Sequence, residues 1–144
     1  MKRHPLVERA YQTRRNGDKR NALELYLEAA AALAETGDRL AEASAIRHAA
    51  DLHEELGDND AAWREYDQAW RLYHTLDPAP VLDLANCRRP MALWQERHGR
   101  AAEALTQWRE ARAGYEKAAV STGLDMQPAF DECDRHITRL EGPV

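Results

Sequence analysis

Two arginines stand at matching places in two similar strings, ASAIRHAADL at 43–52 and ANCRRPMALW at 85–94. A guanidinium binds carboxylate or phosphate through two parallel hydrogen bonds. If Arg47 and Arg89 face the same way on neighbouring helices, they form a fork for an anionic group. The competing reading is local: Arg47 lies one turn before Asp51 and can spend its charge there, at the surface.

Other residues with chemical potential read more plainly. Six histidines raise a metal site, and His48 and Asp51 lie at i, i+3. His53 and Glu54 fall on a different face, and the chain has no HExxH and no cysteine–histidine cluster. His74 and His98 close predicted helices, where a cation meets the negative end of the dipole. Cys87 precedes Arg88 and Arg89, which would lower its pKa, yet its column in the preceding unit holds Ala45, a packing position. With no GxSxG, no phosphate-cradling glycine loop and no nucleophile–base pair, catalysis and cofactors are not expected. Trp63, Trp70, Trp94 and Trp108 have the spacing of core or wedge residues; an exposed Trp63 or Trp70 would instead favour self-association.

The elements that position these residues follow from a repeated break. Gly17-Asp18, Gly37-Asp38 and Gly57-Asp58 recur every 20 residues, and Asp77-Pro78, Gly99 and Ser121-Thr122-Gly123 continue the beat. Glycine past a helix end takes the left-handed conformation, and aspartate caps the next helix through its orphan amides. Asp77 reads as such a cap, with Pro78 at the first helical position. Helices are predicted over 5–15, 19–35, 39–55, 59–75, 78–98, 101–120 and 126–141, joined by linkers too short for anything but antiparallel neighbours. Pro90 falls inside the fifth, as a tolerated bend or as a kink that shapes one end of a binding face.

Composition agrees with an all-α fold, since Ala, Leu, Glu and Arg dominate a chain that is 44% hydrophobic and 31% charged. A net charge of −5 argues against nucleic acid. No apolar run approaches the ~20 residues of a membrane span, and no signal peptide is visible. The two cysteines fit no ligand spacing, so free thiols in a reducing cytoplasm are expected.

With Gly17, Gly57 and Gly99 aligned, four columns emerge: Ala10, Ala50, Ala92; Ala22, Ala62, Ala104; Tyr26, Tyr66, Trp108; and Ala29, Ala69, Ala111. Small residues let paired helices approach, and an aromatic fills the wedge to the next pair. In these columns the chain resembles the tetratricopeptide repeat (TPR) family along its whole length, as repeats at about 3–37, 38–77 and 78–121 and a capping helix at 125–141. Its units recur at 40 and 42 residues rather than the family's roughly 34. Leu6, Ile46 and Arg88 stand where the family carries its leading tryptophan.

The resemblance implies a single domain, a right-handed superhelix (α-solenoid) of about seven helices. It also implies a non-catalytic, cytoplasmic scaffold or adaptor whose concave groove, lined by the first helices of successive units, holds a partner peptide. Groove positions carried over from the family are His4, Val7, Glu8, Tyr11, Arg14 and Arg15; then Ser44, Arg47, His48, Asp51 and Glu55; then Asn86, Arg89, Leu93 and Arg97. Among them Val7, Tyr11 and Leu93 would supply apolar contact, His48, Asp51 and Asn86 would orient the ligand, and Arg47 and Arg89 would anchor an acidic or C-terminal group. The family's two-carboxylate clamp for chaperone tails is not expected, because Val7, Tyr11, His48, Asn86 and Pro90 occupy its positions. The alternatives are a self-assembling homo-oligomer and a groove for a small molecule or anion.

Overall fold

The computed structural model describes residues 3–142. Among them there is no strand; seven helices follow one another, α1 (Pro5–Arg15), α2 (Lys19–Thr36), α3 (Arg39–Glu55), α4 (Asn59–His74), α5 (Val81–Arg97), α6 (Ala101–Thr122) and α7 (Gln127–Glu141). None is long and apolar enough to cross a membrane. The chain forms two compact units, Met1–Leu76 and Asp77–Val144.

The Gly-Asp breaks work as their chemistry dictates. Gly37 takes φ +79°, a left-handed conformation that only glycine adopts without strain, and its amide closes the end of α2 on the Ala34 carbonyl. The side chains of Asp18, Asp38 and Asp58 then accept hydrogen bonds from the amides of Asn21, Ala41 and Ala61 at 3.1–3.2 Å. The Asp77-Pro78 break departs from expectation. Helix α5 starts at Val81 with Pro80 as an N-cap that makes no side-chain bond, so Asp77 does not cap it. Asp77 and Ala79 each precede a proline, whose ring disfavours the α conformation in the residue before it, and with two such residues in succession the helix begins only after both. Further on, α5 runs unbroken through the buried Pro90.

In the first unit α1 packs on α2, α2 on α3 and α3 on α4; in the second α5 packs on α6 and α6 on α7. The four repeat columns form the seams: none of their twelve residues is more than 3% exposed. Alanine permits this closeness, since any longer side chain would hold the helices apart. Helices α5 and α6 also approach closely at Gly114 of α6, where a Cβ would come within 3.1 Å of the Ala85 Cβ on α5. Around Ala85, Ala92, Ala104, Trp108, Ala111, Tyr115 and Cys133, the second unit closes its core with Met126, which precedes α7, and Phe130, Ile137 and Leu140 of α7.

Neither Cys87 nor Cys133 is in a disulfide, and both are fully buried. Burial, and then the carboxylates of Glu132 and Asp134, push the Cys133 thiol up to about 11, so it stays protonated at neutral pH.

Candidate functional site

Cross-helix bonds recur at one register in both units. Tyr73 of α4 shares a 2.9 Å hydrogen bond with Ser44 of α3. Forty-two positions on, Tyr115 of α6 donates at 2.9 Å to Asn86 Oδ1 of α5. Likewise the Tyr66 hydroxyl reaches Glu54 at 3.5 Å, and Trp108 Nε1 in the same column donates to Glu96 at 2.6 Å. Tyr66 also donates to Asp51, and desolvation, followed by the Asp51 charge, drives its phenol far above the ordinary range. The alanine seams are thus accompanied by equivalent polar contacts.

A second recurrence involves the first helix after each pair. His48 of α3 stacks on Tyr26 of α2, with centroids 5.0 Å apart and planes within 20°. His136 of α7 stacks on Trp108 of α6 at 4.1 Å and 12°. Tyr26 and Trp108 belong to one column, so α7 takes against α5 and α6 the place that α3 takes against α1 and α2. This equivalence escaped the reading of the sequence, although its signal is there: the string R-H-x-x-x-L occurs at 47–52 and again at 135–140.

That common register yields two clefts of one design. In the first unit a cleft of about 540 Å³ is lined by Arg3 and His4 ahead of α1, Val7 of α1, Leu33 of α2, the capping Asp38, and Leu40, Ala41, Ser44, Ala45 and His48 of α3. In the second, a cleft of about 440 Å³ is lined by Asn86 and Arg89 of α5, Tyr115 of α6, and Pro128, Ala129 and Glu132 of α7. Seven of the ten lining positions of each cleft correspond, shifted by 82 in the leading helix pair and by 88 in the segment that follows.

Their chemistry differs. In the second cleft Arg89 grips Glu132 with both Nε and Nη2, the latter at 2.9 Å. In the first, those two positions hold Val7 and Ser44. Four polar residues of the first cleft, His4, Asp38, Ser44 and Arg3, have internal partners. His4 Nδ1 accepts from the Leu6 amide at 3.1 Å, Asp38 caps α3, and Ser44 meets Tyr73. Arg3 pairs with Glu8 at 3.2 Å and lies over the Tyr11 ring, 4.5 Å from its centroid. His48 Nδ1 is buried with no hydrogen-bond partner. Burial, and then the guanidinium charges of Arg47, Arg14 and Arg3, lower its pKa to about 4, so the ring is neutral at pH 7.

The residues expected to bind a partner are therefore distributed as follows. Val7 and His48 meet in the first cleft, and Asn86 and Arg89 meet in the second. Tyr11 is half-buried between Arg3 and Arg15, whose guanidinium lies 5.8 Å from the ring centroid. Arg47 lies 3.6 Å from Asp51, the local pairing weighed from the sequence. Leu93 packs against the core of the second unit. Each arginine of the expected fork thus has a carboxylate of its own beside it.

The remaining histidines act locally. His74 and His98 lie at helix ends, as expected, and each also stacks on the tryptophan four residues earlier, at 4.6 Å on Trp70 and 3.7 Å on Trp94. Trp63 and Trp70 are half-buried on α4. No three His, Cys, Asp or Glu side chains among the described residues gather as metal ligands. No protein-family model matches the chain, and no curated protein matches it.

Proposed function

We propose that this protein is a TPR-like, non-catalytic interaction module that holds a segment of a partner protein along its first-type helices, α1, α3, α5 and α7. One observation carries the reading. Two clefts recur at one register, one between α1 and α3 and one between α5 and α7, and each contains residues that the family resemblance places in a groove: Val7 and His48 in one, Asn86 and Arg89 in the other. A repeated cleft suits an extended ligand, because successive side chains of a peptide can enter successive equivalent sites.

On this reading the helix pairs wind as a right-handed superhelix and the module works in the cytoplasm. Arg47 and Arg89 serve an acidic or C-terminal group by exchange, since a ligand carboxylate must displace Asp51 or Glu132. Such exchange contributes selectivity more than affinity, because one charged pair replaces another.

The test is peptide display. A random-peptide library is panned on the purified chain, and a selected peptide is titrated while backbone amides are followed by NMR. Saturable shifts concentrated on α1, α3, α5 and α7 are expected. Failure to select any peptide, or shifts confined to α2, α4 and α6, would overturn the proposal.

A further inference from the structure

We infer that the basic end of the first unit, built by Arg14, Arg15 and Lys19 around the α1–α2 turn, docks an acidic segment of a partner protein. The inference rests on the interaction-module reading and gives the ligand a charge and a place of entry.

Charge is spread unevenly along the chain. The first 20 residues carry seven of its 20 lysines and arginines but only two of its 25 acids, so they are +5 in a chain of −5. The fold gathers this charge at one place. A single carboxylate, Glu55 of α3, faces two cations, Arg14 at 2.9 Å and Lys19 at 4.0 Å. Arg15 is exposed, and no carboxylate among the described residues lies within ion-pair distance of it. Its guanidinium and that of Arg3 lie over the Tyr11 ring, 5.8 and 4.5 Å from the centroid. A guanidinium stacked by its face keeps its N–H edge for in-plane bonds to a carboxylate.

Helix stability does not account for these cations. Arg14 and Arg15 suit the last turn of α1, but Lys19 and Arg20 begin α2, where the positive end of the dipole disfavours them. Helices α1, α3, α4, α5 and α6 each carry an acid in the first turn, whereas α2 has none beyond its Asp18 cap. A local preference broken on an exposed surface points to a ligand. The setting also selects among anions. A nucleic acid is charged along its whole length and would meet the rest of the chain, which is −10. Anionic lipid holds a basic patch stably only with an apolar anchor beside it, and the apolar side of α1, Val7 and Ala10, is spent on the core. A short run of Asp or Glu matches a patch confined to one helix end.

The test needs no identified partner. The purified chain is titrated with an octapeptide of alternating Glu and Gly, its Lys–Gly counterpart, a thymidine octanucleotide and phosphatidylserine vesicles, while backbone amides are followed by NMR. The acidic peptide should give saturable shifts at Tyr11, Arg15 and Lys19, and its affinity should fall about fivefold as salt rises from about 50 to about 200 mM. The lysine peptide should give no response. Arg15→Glu/Lys19→Glu should remove the acidic-peptide response, and Arg64→Glu/Arg71→Glu, the same change of charge on α4, should retain it. All four side chains are exposed, so both variants should keep the helical circular dichroism of the wild type. An unchanged response in the first variant, equal loss in both, or tighter binding of the oligonucleotide or the vesicles would overturn the inference. Acidic-peptide shifts confined to α1 and α2, with no library peptide registering on α5 or α7, would uphold the patch and overturn the groove; selected peptides free of acids, together with a silent acidic titration, would do the reverse.

Discussion

Acid should weaken the first unit through a single histidine. In the folded chain His48 holds its proton only below about pH 4, because it is buried against Tyr26 among the charges of Arg47, Arg14 and Arg3. In the unfolded chain it titrates near the ordinary value of about 6.5. Above pH 6.5 both states are neutral and stability does not depend on this group. As pH falls from 6.5 towards 4 the unfolded state takes up the proton first, and stability drops. Below the folded pKa both states are protonated and the loss is complete. A gap of roughly 2.5 units at about 1.4 kcal/mol each sets the full loss at about 3.5 kcal/mol, which is a large part of the margin of a small domain. His48→Phe keeps a flat ring against Tyr26 and removes the proton site. It should match or exceed wild type at pH 7, since it also removes an unsatisfied buried nitrogen. Urea unfolding of both proteins at half-unit steps from pH 7.5 to 4.5 measures the difference, and His136, His53 and the carboxylates cancel in the subtraction. The two stability curves should part by about 2–3 kcal/mol over that range. Parallel curves, or a His48 ring proton that titrates near 6.5 by NMR in the folded protein, would refute the reasoning.

Gly114→Leu should lower stability by about 1–3 kcal/mol in thermal or urea unfolding, because a Cβ there already lies 3.1 Å from Ala85 and the rest of the side chain must force α5 and α6 apart. A double-mutant cycle on Arg89→Ala and Glu132→Ala should give a coupling of about 1 kcal/mol, discounted because the arginine side chain is 43% exposed, and it should shrink in high salt. Cys87 and Cys133 should resist a thiol reagent in the native protein and react together in denaturant, since both are fully buried. Fast labelling of Cys133 alone under native conditions would show that α7 leaves the core on its own.

The helices were legible because their punctuation is chemical. A left-handed glycine followed by a capping aspartate leaves the chain few alternatives, and the predicted bounds fall within three residues of the observed ones. The error at Asp77 came from treating Pro78 as a helix starter without weighing Pro80, which biases Ala79 away from the helix. The buried columns were legible too, as size is conserved by packing and can be seen in the letters. The partners of charged residues were not. Arg89 and Glu132 are 43 positions apart, and their pairing depends on α7 taking the place of a further first-type helix. Only the repeated Arg-His string pointed there. Nor could spacing foretell that His48 would be neutral, because that follows from how deeply the ring is buried.

The paired tyrosine contacts, Tyr73 with Ser44 and Tyr115 with Asn86, have a consequence for orientation. A seam of alanines is smooth: methyl groups of equal size leave a helix free to turn or slide at little cost. A helix shifted by one residue turns by about 100°, enough to carry Ala41 and His48 away from the cleft they line. A hydroxyl that must meet one polar side chain forbids that slip, because its alternative is a buried group without a partner. The tyrosines therefore act as index pins, fixing which face of α3 and α5 is presented, while the alanines fix only how near the helices lie.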